Sequence, residues 1–335
     1  MAEPRNSAAS GSRFTPQNRL DGGLVPPEVQ GNAVPPATHL AHDRQGRLTA
    51  IPAVTTVVFT AHNRRDMVIE AIGYALGQSV PVHVIVADDA STDGTGEAIK
   101  AVYPDITYER SSVSLGPCYQ RNRGVALAAT EVVFPLDDDS MLVDPRTLEA
   151  TLADFVAPEI AIVCMPFVNV LKDTVVHHVP APGSTAEPLD FAACAHAVRR
   201  STFLAVGGYN EDLFYTMEEG DLALRLLDDG GWRTVFGSAP ALHHMQKIGK
   251  ISYIQDYTGA RNKVLFYFRY APLRYVLPRI VGAIIGDGLF SLRRKRPGPW
   301  LKGVWDGLVM VATGRAKRTP VKLENFRAYI AQRAG

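Results

Sequence analysis

Three consecutive aspartates, Asp137-Asp138-Asp139, directly follow an apolar, β-branched run, Glu131–Leu136 (EVVFPL). Adjacent carboxylates repel one another unless solvent or a cation offsets their charge. A hard divalent cation with oxygen ligands, Mg²⁺ or Mn²⁺, is the economical answer. Such an ion keeps positions open for phosphate and neutralises charge on a leaving group. The plainer alternative is an acidic turn capping the next helix. Two further polar clusters follow apolar runs in the same way: Thr60-Ala61-His62-Asn63-Arg64 closes TTVVFT, and Asp88-Asp89 closes VHVIVA. Ligands of open α/β sheets sit beyond the carboxyl ends of the strands, so these clusters are the first candidates for a site.

The elements that must position them are legible from periodicity. Thr55–Thr60, Val82–Ala87 and Glu131–Leu136 read as buried strands, with a further strand over Ile106–Arg110. Helical spacing covers Arg65–Leu76, Gly96–Val102 and Pro117–Ala129, the last with proline in its first turn. Strands alternating with helices at this interval imply βαβ units and a mainly parallel, doubly wound sheet. Beyond a helix at Pro145–Phe155 the pattern becomes mixed. Strands are expected at Ile160–Met165, Thr174–Val179 and Trp232–Phe236, with a helix at Glu218–Leu227 stopped by Gly230-Gly231. The fold class is therefore α/β, with a mixed second half and a helical C-terminal extension.

The division expected is a disordered or loosely packed arm over residues 1–50, a catalytic domain over 51–250 and a helical, basic extension over 251–335. The arm is rich in Pro, Gly, Ala, Asn and Ser and has one aromatic, Phe14. A 335-residue chain that is 46% hydrophobic can bury a large core, which argues against global disorder. The net charge of +1 conceals an asymmetry: from Ser291 onward eleven Lys/Arg stand against Asp306 and Glu324, a net of +9. Such a tail, with Trp300, Leu301, Val304 and Trp305 beside Arg293-Arg294-Lys295-Arg296, suits the cytoplasmic face of an inner membrane rather than nucleic acid. Tyr275–Leu292 is interrupted by Pro278, Arg279 and Asp287, and reads as interfacial or packed rather than spanning. Cys118, Cys164 and Cys194 have no C-x-x-C spacing, and no charged-then-apolar leader opens the chain, so a reducing cytoplasm is expected.

Five strings in order, VVFTAHNRR (57–65), VIVADDASTDGT (84–95), LGPCYQRNRG (115–124), LDDDS (136–140) and GGYNEDLF (207–214) with EEGDLALR (218–225), resemble family 2 glycosyltransferases. The likeness is to GT-A-fold, inverting enzymes of the rhamnosyltransferase-like type that build bacterial cell-surface glycan, and it extends over roughly residues 54–245. It implies transfer of a sugar from a UDP-, GDP- or dTDP-sugar to a glycan, lipid-linked or small-molecule acceptor. By the same resemblance Asp88 and Asp89 read the nucleotide base, Thr60, His62 and Arg64 line the nucleotide pocket, and Arg121 lies near the diphosphate. Asp137 and Asp139 are the outer members of a D-x-D metal motif, with Asp138 toward the donor sugar. His243 or His244 completes the metal site, and Gly207-Gly208 bring backbone close to donor and acceptor. Inversion needs a base facing the acceptor hydroxyl. Glu219 takes that role, with Glu218 and Asp221 as neighbours that could share it. The family's usual Asp is here a Glu, one methylene longer. Arg261-Asn262 is structural or acceptor-side.

Two other readings compete. A Rossmann-type dinucleotide enzyme needs G-x-G-x-x-G after the first strand, where T-A-H-N-R-R stands instead. A non-catalytic nucleotide-sugar- or carbohydrate-binding protein of the same fold is favoured only by the Glu at 219.

Overall fold

The computed structural model describes residues 38–42, 48–172, 174–181, 186–245 and 253–334. The chain begins with a hairpin, β1 (Thr38–His42) paired antiparallel to β2 (Leu48–Pro52). Ordered pairing thus starts inside the segment read as an arm, whose residues 1–37 and 43–47 lie outside the described residues. Next come β3 (Thr55–Ala61), α1 (Arg65–Leu76), β4 (Val82–Asp88), α2 (Thr95–Val102), β5 (Thr107–Arg110), α3 (Pro117–Leu127) and β6 (Val132–Asp137). The second half holds β7 (Ser140–Met141), α4 (Thr147–Ala153), β8 (Ile160–Cys164), β9 (Phe167–Asn169), β10 (Val176–His177), β11 (His196–Arg199) and α5 (Arg200–Ala205). It continues with α6 (Glu218–Gly230), β12 (Arg233–Phe236) and β13 (Leu242–His244). Four helices follow: α7 (Tyr253–Tyr270), α8 (Leu273–Arg293), α9 (Pro297–Ala312) and α10 (Leu323–Ala334).

The main sheet runs β12-β8-β11-β6-β3-β4-β5, with β5, β4, β3 and β6 mutually parallel and β11 antiparallel to both neighbours. Every residue of β3 and β4 is buried, as expected of central parallel strands covered on both faces. One face receives α1 through Val68, Ala71, Ile72 and Ala75. The other receives α3, whose Gly124 seats against the Val58 side chain so closely that a Cβ would collide with it.

Register brings the polar clusters level. Thr60 pairs with Asp137 and Ala61 with Asp88, so β3, β4 and β6 end along one edge. A second sheet, β10-β9-β13-β7, folds over that edge and pairs His244 with Ser140, next to the aspartates.

The C-terminal helices are tied to α6 by a cluster of Leu224, Phe266, Tyr270, Phe326 and Tyr329. On α9, Gly303 and Gly307 let the helix ride directly on the α7 backbone at Tyr257 and Arg261. α8 continues through Pro278 for 21 residues and contains an 18-residue window with a mean hydropathy of 1.4, long and apolar enough by length and composition to cross a membrane. The interruptions at Pro278, Arg279 and Asp287, from which an interfacial or packed segment was expected, all lie inside this one helix.

Candidate active site

A cavity of about 1420 Å³ opens at the carboxyl edge of β3, β4 and β6. Of the candidates, Thr60, His62, Arg64, Asp89, Arg121, Asp137, Asp138, Asp139 and His244 line it. Asp88, Gly207, Gly208, Glu218, Glu219, Asp221 and His243 lie outside its lining. The reasons are local.

The loop after β3 is fixed to the loop after β4. His62 donates from Nδ1 to the Asp89 carbonyl at 2.6 Å, and Asn63, in the left-handed region at φ 53°, donates its N–H to Ser91 Oγ and accepts from the Thr92 N–H. Asparagine tolerates that conformation better than most residues. Arg64 is thereby placed over the aspartates, donating to Asp138 Oδ1 at 3.1 Å and to Asp139 Oδ2.

The pair Asp88-Asp89 divides, because successive strand residues face opposite ways. Asp88 is fully buried and accepts from the Ser91 N–H and the Tyr108 hydroxyl, turned away from the cavity. Asp89 faces the cavity, but its oxygens accept from Ser114 Oγ, the Leu115 and Gly116 N–H groups and Gln120 Nε2. A carboxylate offers about four acceptor sites. Those of Asp89 are spent on organising the turn before α3.

The aspartate triplet is held by cations of the protein. Arg121, buried on α3, donates to Asp137 and faces Glu218 Oε1 at 3.5 Å, with its guanidinium over the Tyr209 ring. Burial works against the Arg121 charge, but Asp137, Tyr209 and Glu218 outweigh it and hold its pKa well above the usual value. Burial pushes Asp138 up to about 7, against the pull of Arg64 and with the repulsion of Asp139 and Asp137 adding to it. Burial also disfavours an ionised Asp139, yet His244 and Arg64 keep it below the ordinary carboxylate range.

His244 Nδ1 stands 3.2 Å from Asp139 Oδ1, and neither atom has a hydrogen bond of good geometry. A carboxylate oxygen and an imidazole nitrogen, buried and facing each other as an ion pair, are a donor pair that suits Mn²⁺ or Mg²⁺ once the imidazole is neutral. Among the described residues no three His, Cys, Asp or Glu side chains form a ready cage. His243, next on the strand, is exposed on the opposite side.

The acidic cluster of α6 sits behind the cavity wall. Glu218 is buried against Arg121. Glu219 accepts from the Ala193 N–H at 3.3 Å, and burial, then the charges of Glu218 and Asp190, push its pKa well above the usual value. Asp221 is fully buried and accepts from Arg225, Tyr270 Oη and Asn210 Nδ2. Gly207 (φ 80°) and Gly208 (φ 63°) form the turn after α5, where a Cβ on Gly208 would meet Asn122 and Phe203.

Several lining residues escaped the sequence reading. Phe214 and Tyr215 come from a loop with positive φ at Phe214, Thr216 and Met217. That loop is held by Arg261, which donates to the Asp212 and Leu213 carbonyls, and by Asn262, which donates to those of Leu213, Tyr215 and Thr216. The R-N pair of α7 therefore shapes the cavity without lining it. Gln120, Asn169, Lys172, Ile254, Gln255 and Arg294 also line the cavity. Phe214 and Gln120 stood inside quoted strings and Arg294 inside the basic run, without a role in the site.

Residues 56–208 match the model for glycosyl transferase family 2. They form a family 2 glycosyltransferase domain. The domain is similar to the succinoglycan biosynthesis protein ExoO of Rhizobium meliloti, 36% identical over 119 residues that cover 33% of this chain and 33% of that protein. It is also similar to the N-acetylglucosaminyl-diphospho-decaprenol L-rhamnosyltransferase of Mycobacterium tuberculosis, 28% identical over 212 residues, 51% of this chain and 69% of that enzyme. Among solved structures, the mannosyltransferase PcManGT from Pyrobaculum calidifontis, in complex with GDP-Man and Mn²⁺, superimposes with a TM-score of 0.53 at 16% identity, covering 92% of this chain and 84% of that one. That likeness establishes the GT-A fold. The chain spans about a third of the length of its succinoglycan relatives.

Proposed function

We propose that this glycosyltransferase domain moves a sugar, with inversion and with a divalent cation, from a nucleotide-diphosphate-sugar to an acceptor hydroxyl. The observation that carries the reading is the gathering of Asp137, Asp138, Asp139 and His244 with Arg64 and Arg121 around one cavity of a family 2 domain. Asp139 and His244 would hold the cation, with Asp137 beside them. When bound, the ion supplies Lewis acidity to the departing diphosphate.

The chain's own residues do the rest. Arg64 is half-exposed and pivots from a flexible stem, so it can leave the aspartates for phosphate oxygens, which a guanidinium binds bidentately. Asp138 faces the cavity between the other two aspartates, where it can contact a hydroxyl of the donor sugar. Arg121 stays put, locking Asp137 to Glu218 and so tying the donor edge to α6. Glu219 is the general base, reached by turning its side chain from behind the cavity wall: Asp221 is saturated by three partners and Glu218 faces Arg121, whereas the Glu219 carboxyl is held to the backbone only by a long contact from the Ala193 N–H. The extra methylene relative to Asp gives its carboxyl more reach toward an acceptor.

The GDP-Man complex of PcManGT supports a nucleotide-sugar donor, and the lipid-linked acceptor in the rhamnosyltransferase's name supports one for this chain. The test is a panel of UDP-, GDP- and dTDP-sugars with Mn²⁺ or Mg²⁺, read by melting temperature and by released nucleoside diphosphate. A ligand that binds only the folded state raises the melting point. Glu219→Gln should abolish release while keeping the donor-induced shift. If no donor shifts the melt or yields diphosphate with either metal, the proposal fails.

A further inference from the structure

The C-terminal helices carry a surface that sugar transfer does not use. Of the 21 residues of α8, only Ile280, Gly288 and Ser291 are buried. Leu277 is 70% exposed, Ile285 57% and Leu289 54%, and Leu273 and Leu292 are exposed as well. Across the turn, α9 exposes Leu301, Trp305 (68%) and Leu308 at i, i+4 and i+7. The two helices are docked together, with Trp300 packed on Gly288, and their apolar residues are left outside the pair. Contiguous apolar surface of this extent on a soluble domain marks an interaction site.

The turn between them is basic. Arg293, Arg294 and Lys295 are exposed, and Arg294 stacks over Phe290 at 4.4 Å while also lining the cavity. We propose that the α8–α9 hairpin docks on an anionic lipid surface as a monotopic element, its apolar residues at the acyl boundary and the Arg293–Lys295 turn on headgroup phosphates. Charge decides the occupant. A second copy would bring another segment of net +9, whereas a phospholipid surface of opposite sign attracts each such residue by about 1 kcal/mol, roughly fivefold in affinity.

The helix lies on the surface rather than through it. It is fastened to α7 by Lys263 on Asp287 at 2.6 Å, and it carries Arg279 and Asp287 in its interior. Because Arg294 belongs to both the turn and the cavity wall, docking sets the cavity mouth beside the headgroups. That last consequence rests on the proposed transfer to a lipid-linked acceptor, whereas the docking does not.

The test is sedimentation of the whole chain with vesicles of phosphatidylglycerol and phosphatidylcholine, against phosphatidylcholine alone, without any nucleotide-sugar. The wild type should sediment with the anionic vesicles and be released by high salt. Leu277→Gln/Ile285→Gln/Leu289→Gln, all at exposed positions, should lose at least about tenfold in partitioning. Arg293→Glu/Lys295→Glu should lose the preference for anionic lipid. Donor-induced melting shifts should be unchanged in both variants, so failure here is separable from failure of the sugar chemistry. The proposal is overturned if the wild type stays in solution, if the triple variant binds as well as the wild type, or if bound protein resists a high-salt wash. It is also overturned if light scattering shows a dimer that the triple variant dissolves while vesicle binding is absent.

Discussion

Asp221→Ala should cripple the fold rather than the chemistry, and the structure sets the size of the effect. Asp221 Oδ2 accepts from Arg225 Nη2 at 2.7 Å and Nε at 2.8 Å, and Oδ1 accepts from Tyr270 Oη at 2.6 Å and Asn210 Nδ2 at 3.2 Å. Truncation leaves a largely buried guanidinium without its counter-charge. Removing one partner of a buried ion pair costs about 3–5 kcal/mol. Arg225 keeps its bonds to the Val206 and Gly208 carbonyls, which favours the lower end. At about 2–4 °C per kcal/mol, the melting temperature should fall by roughly 10 °C.

The paired measurement is Glu219→Gln. Burial and like charge already disfavour an ionised Glu219, so a neutral isostere should melt at or above the wild type while turnover is lost. Both variants go through calorimetry and diphosphate release. An Asp221→Ala protein that melts within about 2 °C of the wild type and yet is inactive would refute the reasoning, since the expected loss is several-fold larger. It would make Asp221 the reacting carboxylate.

Asp139→Asn and His244→Ala should each raise the Mn²⁺ concentration for half-maximal turnover on the order of 10- to 100-fold, and EDTA should stop turnover, read by metal titration. His196 is fully buried with Nε2 on the Tyr209 hydroxyl, and burial, then Arg121, depress its pKa well below the usual value. The unfolded ring takes a proton below about pH 6.5 and the folded ring does not, so stability should fall with pH below that point by up to about 1.4 kcal/mol per unit. Melting curves of His196→Gln should show a flatter acid slope. Gly124→Ala should cost about 1–3 kcal/mol through the clash with Val58, despite alanine's better helix propensity, and Val58→Ala in the same chain should recover part of the loss in denaturant titrations.

What the sequence made legible is what depends on local pattern. β3, β4 and β6 are short, β-branched and apolar, and a polar cluster ends each of them, so their carboxyl edge could be read as the site before their pairing was known. The register Thr60↔Asp137 and Ala61↔Asp88 then follows from parallel strands entering from the same side. Adjacent pairs were the obstacle. Asp88-Asp89 and His243-His244 are each split by strand alternation, and local sequence does not say which member faces the cavity. For the aspartates the answer is set by where the Tyr108 hydroxyl and the Ser114–Gly116 turn arrive. For the histidines it is set by β13 pairing with β7, a strand about a hundred residues earlier in the chain.

The loop carrying Phe214 and Tyr215 was hidden for a related reason. Three non-glycine residues in the left-handed region are unfavourable on their own, and nothing between Phe214 and Met217 announces that conformation. It persists because Arg261 and Asn262, nearly fifty residues later, donate to its carbonyls. The C-terminal helices therefore do more than extend the domain. By fixing this loop through α7, receiving Asp221 on Tyr270 and sending Arg294 into the wall, they complete a cavity whose acidic lining comes from residues 66–139. A deletion after β13 would on this argument leave the aspartates at their strand end and remove the means of enclosing a donor over them.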